Sequence, residues 1–290
     1  MRTPPTRGAL RRTRPRALRV PFFAAAVLLV VVVAAGCVSF SGPSVPYLAT
    51  PEDVGLEMLK LAGVTSRDTV YDLGSGDGRL VIAAARTFGA RGVGVEIDPQ
   101  LVQDSRENAL RAGVADRVSF RWEDLFRADI SDATAVMTYL LPDVNVRLQP
   151  KLLRELRPGT PIVSHEFGMG EWAPDLTRRI RATDRPHTLY LWIVPASVRG
   201  DWSLAVQIRG ETRRFALRLE QQFQHVWGSA TGDGGETLAV SGTLRGDEVS
   251  FSTGPSRATL SFRGRATGDS AAGQVHSGEG PTGVWTARRH

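Results

Sequence analysis

The chain has 290 residues, with 36 Lys and Arg against 30 Asp and Glu, a formal net charge of +6 and a single cysteine. Seven of the arginines (Arg2, Arg7, Arg11, Arg12, Arg14, Arg16 and Arg19) precede the first acid, Glu52, and removing them leaves 29 basic residues against 30 acidic. The body therefore has no basic excess, which removes the main support for a nucleic-acid partner. One cysteine also excludes an intrachain disulfide framework, while the length admits two domains.

Residues 1–37 read as an export signal: an arginine-rich start, an uncharged run from Val20 to Gly36, then Cys37. Ala34-Ala35-Gly36 before Cys37 resembles a bacterial lipoprotein box, with Ala34 where Leu or Val is usual, and makes Cys37 the expected lipidated N-terminus. The other reading is an uncleaved helix of about 17 apolar residues, at the lower limit for spanning a bilayer. Both leave the arginines inside and the rest outside the membrane, as an extracytoplasmic anchored protein. The alternative location is the cytoplasmic face of the membrane.

Residues 38–50 form a Ser/Gly/Pro linker and lid. A helix is expected over about 51–63, with Thr50 as N-cap, Pro51 at the first position and Glu52 and Asp53 favouring the dipole. Next comes a short apolar strand that breaks at Gly74, Gly76 and Gly78 and re-forms as a helix from Leu80. A parallel strand, Val93 to Ile97, then carries an acid, Glu96, near its end. This is half of a nucleotide-binding α/β sheet. A dinucleotide fingerprint needs a third glycine where Arg79 stands, and Asp72, ahead of the glycines, would repel a pyrophosphate. The same acid suits a cation such as the methionyl ammonium of S-adenosylmethionine, and Glu96 suits the two ribose hydroxyls.

A helix follows over about 99–112, then a strand Val118–Trp122 with Asp124 placed to accept from an adenine amino group. A fourth strand is expected over Ala135–Leu141, a helix over about 144–156, and a fifth strand over Pro161–Phe167. On that strand His165 and Glu166 alternate, so only one of them is expected to face a cleft. Two strands, 178–182 and 188–194, close the region as a hairpin. The pattern describes an α/β, seven-stranded, Rossmann-like sheet over residues 51–198. Residues 199–290 read as about eight short strands separated by turn signals, hence a small all-β antiparallel barrel or sandwich. No metal-ligand spacing stands out, with His225, His276 and His290 scattered.

The segments Tyr71-Asp-Leu-Gly-Ser-Gly-Asp-Gly-Arg-Leu80, Gly92-Val-Gly-Val-Glu-Ile-Asp98, Tyr139-Leu-Leu-Pro142, Val163-Ser-His-Glu-Phe167 and the lead-in Pro46-Tyr47…Thr50-Pro51 resemble class I S-adenosylmethionine-dependent methyltransferases. They resemble in particular the branch of bacterial and mitochondrial lysine N-methyltransferases that modify the adenine nucleotide carrier and the c-ring protein of ATP synthase. The resemblance covers about 46–195. It implies S-adenosylmethionine as cofactor, a protein lysine (possessed by a membrane protein in those relatives) as acceptor, and no metal. It implies a cofactor site of Tyr47, Thr50, Asp72, Gly74, Ser75, Gly76, Asp77, Gly78, Glu96, Ile97, Asp124 and Leu140, with Tyr139 and Asn145 beside the acceptor amine. A competing expectation is an exported, non-catalytic protein that holds an adenosyl metabolite on the same fold, since the donor is made in the cytoplasm.

Overall fold

The structure, a computed structural model, describes residues 48–254, 260–277 and 282–290. The leader, Cys37 and Tyr47 lie outside the described residues. Helix α1 (Glu52–Leu61) begins without the expected cap. Pro51 occupies the N-cap position and makes no side-chain bond to the helix, and the Thr50 hydroxyl is turned toward His165 instead.

The central strands are β1 (Thr69–Leu73), β2 (Arg91–Glu96), β3 (Val118–Trp122), β4 (Ala135–Thr138) and β5 (Pro161–His165). They are joined by α2 (Arg79–Ala83), which continues as a π-turn over Ala84–Phe88, by α3 (Pro99–Arg111) and by α4 (Pro142–Glu155). With β6 (Leu176–Arg181) and β7 (Pro186–Ile193) they form one sheet in the order β3-β2-β1-β4-β5-β7-β6. β1 to β5 are parallel and β7 runs antiparallel to both neighbours. β1 and β4 are buried along their whole length, as strands covered on both faces must be. Alternate residues therefore feed two cores. Val70, Met137 and Val163 meet Val54, Met58 and Leu59 of α1, while Tyr71, Val136 and Ile162 meet Leu148 and Leu152 of α4. Truncating either leucine to alanine would cost about 2–5 kcal/mol.

The expected fold class is borne out, with three local differences. β4 ends at Thr138, three residues early, because Pro142 starts α4 and the intervening Tyr139-Leu140-Leu141 turns out of the sheet. α2 is a short helix followed by a π-turn rather than one regular run. β5 ends at His165, since Glu166 takes φ 63°, a conformation outside any strand.

The last strands are β8 (Gly200–Ile208), β9 (Glu211–Gln222), β10 (His225–Gly232), β11 (Thr237–Arg245), β12 (Glu248–Thr253), β13 (Leu260–Thr267), β14 (Ser270–Ser277) and β15 (Thr282–Arg289). Each pairs antiparallel with the next, and β15 pairs with β8, so the barrel closes and leaves no free edge. Its interior is filled by side chains: Phe251 stacks on Phe262 at 4.3 Å and Trp285 meets Phe251 edge-on at 5.5 Å. The β9–β10 turn seats the barrel on the sheet. Phe223 stacks on Trp172 at 5.6 Å, and Gln224 Nε2 donates to the Ala173 carbonyl at 2.9 Å. Among the described residues no helix is long and apolar enough to cross a membrane.

Candidate functional site

In this strand order the connections leave β1 in opposite directions, so a crevice opens at the C-terminal ends of β1 and β4. Asp72 stands at the end of β1, buried and with no hydrogen bond from any described group. Burial pushes its carboxyl well above the ordinary carboxylate range, and the nearby Glu96 and Asp77 carboxylates push it further. Three acids thus converge where a cation would relieve all of them. The hydroxyls of Ser75 and Thr138 are also buried there without partners among the described residues, although buried polar groups are normally satisfied.

The glycine loop is shaped by φ values of 83°, 53° and 78° at Gly74, Gly76 and Gly78, a region that side-chain-bearing residues adopt only with strain. A Cβ at Gly74 would lie 3.0 Å from Leu140 Cδ2, and one at Gly78 would lie 2.5 Å from the Phe120 ring. Helix α3 pins the loop from below, through Ser105 Oγ to the Gly76 carbonyl at 2.8 Å and Asn108 Nδ2 to the Asp77 carbonyl at 2.9 Å. Asp77 holds Arg79 at 2.7 Å, and Arg79 Nη1 reaches the Thr50 carbonyl at 3.3 Å. The lead-in is thereby tied to the loop.

Glu96 is more committed than expected. Its Oε2 accepts from Gly76 N at 2.9 Å, and its Oε1 accepts from Ile97 N at 2.8 Å and Asp98 N at 3.0 Å. A carboxylate offers about four lone-pair directions, so one ribose hydroxyl fits as the group stands. A second requires Gly76 N–H to be exchanged. Asp124 spends Oδ1 on Phe126 N at 2.9 Å, which closes its turn and leaves Oδ2 for an amino group. Ile97 and Trp122 are exposed beside Glu96, at 68% and 67%, with Trp122 Nε1 donating to the Ile97 carbonyl at 2.9 Å. Together they offer a flat apolar surface for a base. The sequence marks Trp122 only as a strand residue; its polar-flanked position at a strand end is the one signal it gives.

Tyr139 is half-buried just past β4, its ring 4.1 Å from His165 and 6.0 Å from Phe167, nearly parallel to the latter. Asn145 is fully buried. Its Nδ2 faces four acceptors at 3.3–3.4 Å: the carbonyls of Leu140, Phe167 and Gly168, and Ser164 Oγ. It ties the loop after β4 to the loop after β5, so it positions this wall instead of lying open beside an amine.

The expectation that only one of His165 and Glu166 faces the cleft fails, because the chain leaves the strand between them. His165 Nε2 lies 2.8 Å from His187 Nδ1, and Glu166 Oε1 lies 3.2 Å from His187 Nδ1 and 3.8 Å from His165 Nε2. Burial, then the neighbouring His187, push His165 down to about 4. His187 Nε2 meets Asp184 Oδ1 at 2.9 Å, and Arg185 Nη1 holds Glu166 Oε1 at 2.8 Å. Nothing in the sequence singles out His187, since 22 residues separate it from His165 and only the β5–β7 pairing joins them.

A seven-stranded sheet in this order, with a glycine loop between a buried acid and a strand-end acid, defines an S-adenosylmethionine-dependent methyltransferase. Similar proteins agree. Residues 72–176 match the family described as the ANTKMT methyltransferase domain. The chain is 44% identical over 153 residues to a protein-lysine N-methyltransferase of Saccharolobus islandicus, covering 52% of this chain and 95% of that one. It is 39% identical over 105 residues to the adenine nucleotide translocase lysine N-methyltransferase of Mus musculus, covering 36% of this chain but only 46% of that enzyme's length. A solved structure titled as an RNA methyltransferase of Salinibacter ruber, in complex with S-adenosyl-L-homocysteine, is 57% identical with a TM-score of 0.50, covering 52% of this chain and 96% of that one. The chain belongs to the ANTKMT-type methyltransferase family.

Proposed function

We propose that this methyltransferase acts on lysine side chains of protein, in or near a membrane. The observation that carries the site is Asp72: a buried carboxyl flanked by two further acids, with no hydrogen bond from any described residue, fits the cationic donor and no anionic nucleotide. When bound, S-adenosylmethionine supplies a methyl group on a sulfonium, open to in-line displacement by a nucleophile. Catalysis of such a transfer rests mainly on positioning, and the residues divide accordingly. Asp72 and Ser75 hold the methionyl end; Glu96, Ile97, Trp122 and Asp124 hold the nucleoside. Gly74, Gly76 and Gly78 let the backbone approach, with Asp77 fixing the loop and Leu140 its outer wall. Tyr139 orients the acceptor amine, Asn145 holds the loop that carries Tyr139, and Thr50 closes the crevice beside His165.

Two relatives point to different acceptors, a protein lysine and an RNA. The lack of a basic excess beyond residue 19 and the acids lining the crevice favour the amine, because RNA affinity depends on neutralising phosphates. The leader supports an anchored, extracytoplasmic location with lipidation at Cys37. A test uses the full chain in calorimetry with S-adenosylmethionine, then transfer of tritiated methyl groups to a membrane-protein lysate and to total RNA. Label on lysine is expected. Absence of donor binding, binding unaffected by Asp72→Ala and Glu96→Ala, or label confined to RNA would refute the reading. Radioactive palmitate, retained by the wild type and lost in Cys37→Ser, checks the anchor.

A further inference from the structure

A lysine amine is protonated at neutral pH, with an ordinary pKa near 10.4, and an ammonium has no lone pair with which to take a methyl group. The acceptor reading therefore requires a way out for one proton. The pocket acids are poorly placed for this: a carboxylate that neutralises the donor's cation is committed to it.

A continuous line of hydrogen bonds leaves the other wall of the crevice. Thr50 Oγ1 is 3.3 Å from His165 Nδ1, His165 Nε2 is 2.8 Å from His187 Nδ1, and His187 Nε2 is 2.9 Å from Asp184 Oδ1. The inner members are buried: Thr50 is 8% exposed, His165 0% and His187 2%. The Asp184 side chain is 52% exposed, so the line ends in water. It starts beside the acceptor, because the His165 ring that bonds Thr50 also packs at a tilt against the Tyr139 ring, with centroids 4.1 Å apart.

We infer that Thr50, His165, His187 and Asp184 form a relay that carries the proton of the acceptor ammonium from the crevice to solvent. The inference rests on the reading of the acceptor as a lysine amine. Asp184, held below the usual carboxylate range by its bond from His187, is the acceptor end, so His187 carries its proton on Nε2. His187 Nδ1 then accepts from His165 Nε2–H, and His165 Nδ1 accepts from the Thr50 hydroxyl. That leaves Thr50 Oγ1 lone pairs for the incoming ammonium. In the transfer the ammonium N–H bond breaks as Thr50 Oγ1 takes the proton and hands its own to His165 Nδ1. The Nε2 proton of His165 passes to His187 Nδ1, and that of His187 to Asp184 Oδ1, which releases it to water. One proton enters, one leaves, and the amine keeps its electron pair.

The groups facing His165 are His187, Glu166, Arg185, Asp184 and the Tyr139 ring. His165 stays neutral well below pH 7 in this setting, which a relay through its two nitrogens requires. His165 Nε2, Glu166 Oε1 and His187 Nδ1 also lie close enough together to hold a metal ion. Against that, the two ring nitrogens already face each other at hydrogen-bond distance, and Glu166 Oε1 is taken by Arg185 at 2.8 Å.

The test compares the full-length wild type with Thr50→Val, Thr50→Ser and Asp184→Asn. Methyllysine formed from tritiated S-adenosylmethionine on the membrane-protein lysate is measured from pH 6.5 to 10. Asp184 is on the surface, so its substitution does not threaten folding. Thr50→Val and Asp184→Asn are expected to lose about 1000-fold at pH 7. Their rates should climb tenfold per pH unit and approach the wild type near pH 10, where free amine is plentiful. Donor affinity should be unchanged in Asp184→Asn, and Thr50→Ser should follow the wild type. Nitrogen NMR of 15N-histidine-labelled chain should show His165 neutral with its proton on Nε2 at pH 7. Overturning results are variant and wild-type profiles that run parallel at all pH values, a His165 proton on Nδ1, or a stoichiometric metal ion lost on His187→Gln. Absence of label on lysine in the wild type strikes the acceptor reading and the relay with it; label on lysine with parallel profiles strikes the relay alone.

Discussion

Replacing Asp72 by Asn separates binding from stability. Among the described residues no group hydrogen-bonds the Asp72 carboxyl, and its pKa is raised by burial and by Glu96 and Asp77. A group whose folded-state pKa lies above its unfolded value favours the fold when protonated, and that contribution is lost as pH rises from about 3.8 upward. At pH 7.5 the ionised form is thus a liability that Asn removes without changing the side chain's shape. An unpaired buried charged group costs at least about 1–3 kcal/mol, and 1 kcal/mol shifts Tm by about 2–4 °C in a chain of this size. Asp72→Asn should therefore raise the Tm of the donor-free protein by several degrees at pH 7.5, and the gain should vanish toward pH 4. With donor present the order reverses. Losing a charge-assisted hydrogen bond of about 1.5–3 kcal/mol weakens Kd by about 10- to 150-fold. Differential scanning fluorimetry across pH and calorimetry read both effects. A lower Tm in the free variant, or an unchanged Kd, would refute the assignment of Asp72 as the counter-charge to the donor.

The His165 shift has the opposite consequence for acid stability. Its folded pKa of about 4 lies below the ordinary 6.5, so the neutral form suits the fold and the contribution, on the order of 3 kcal/mol at most, is lost as pH falls from 6.5 toward 4. The Tm gap between wild type and His165→Gln should shrink over that window, and a gap constant with pH would contradict it. Gly78→Ala combines a φ of 78° with a 2.5 Å approach to Phe120. It should cost at least about 1–3 kcal/mol and abolish donor binding, whereas Gly113→Ala, with open space around it, should show strain without loss of binding. Asn145→Asp places an acceptor where four acceptors already converge. A loss of about 2–3 kcal/mol is expected, seen by chemical denaturation, and a neutral outcome would mean the amide is oriented the other way.

Local chemistry was legible in the sequence. Three glycines at alternate positions, an acid before them and an acid eighteen residues beyond the last of them already implied a strand, a turn and a cationic nucleoside ligand. Turn residues spaced at regular intervals likewise implied eight strands after residue 199, because Gly and Asp break strands for reasons internal to each turn. Closure of those strands was not legible, since whether the last pairs with the first depends on tilt and stagger summed over the whole barrel. The lapses in the site have the same origin. Thr50 reads as a helix cap by its neighbours but bonds a histidine 115 residues away. Glu166 reads as the far side of a strand, yet a single positive φ brings it back to His165. His187 enters only through the antiparallel pairing of β5 and β7. The sequence alone determined what the donor site must attract, because charge and backbone freedom belong to single residues and their immediate neighbours. Only the tertiary structure decided which side chains meet on the acceptor wall, because strand order and one turn set distances that no spacing along the chain encodes.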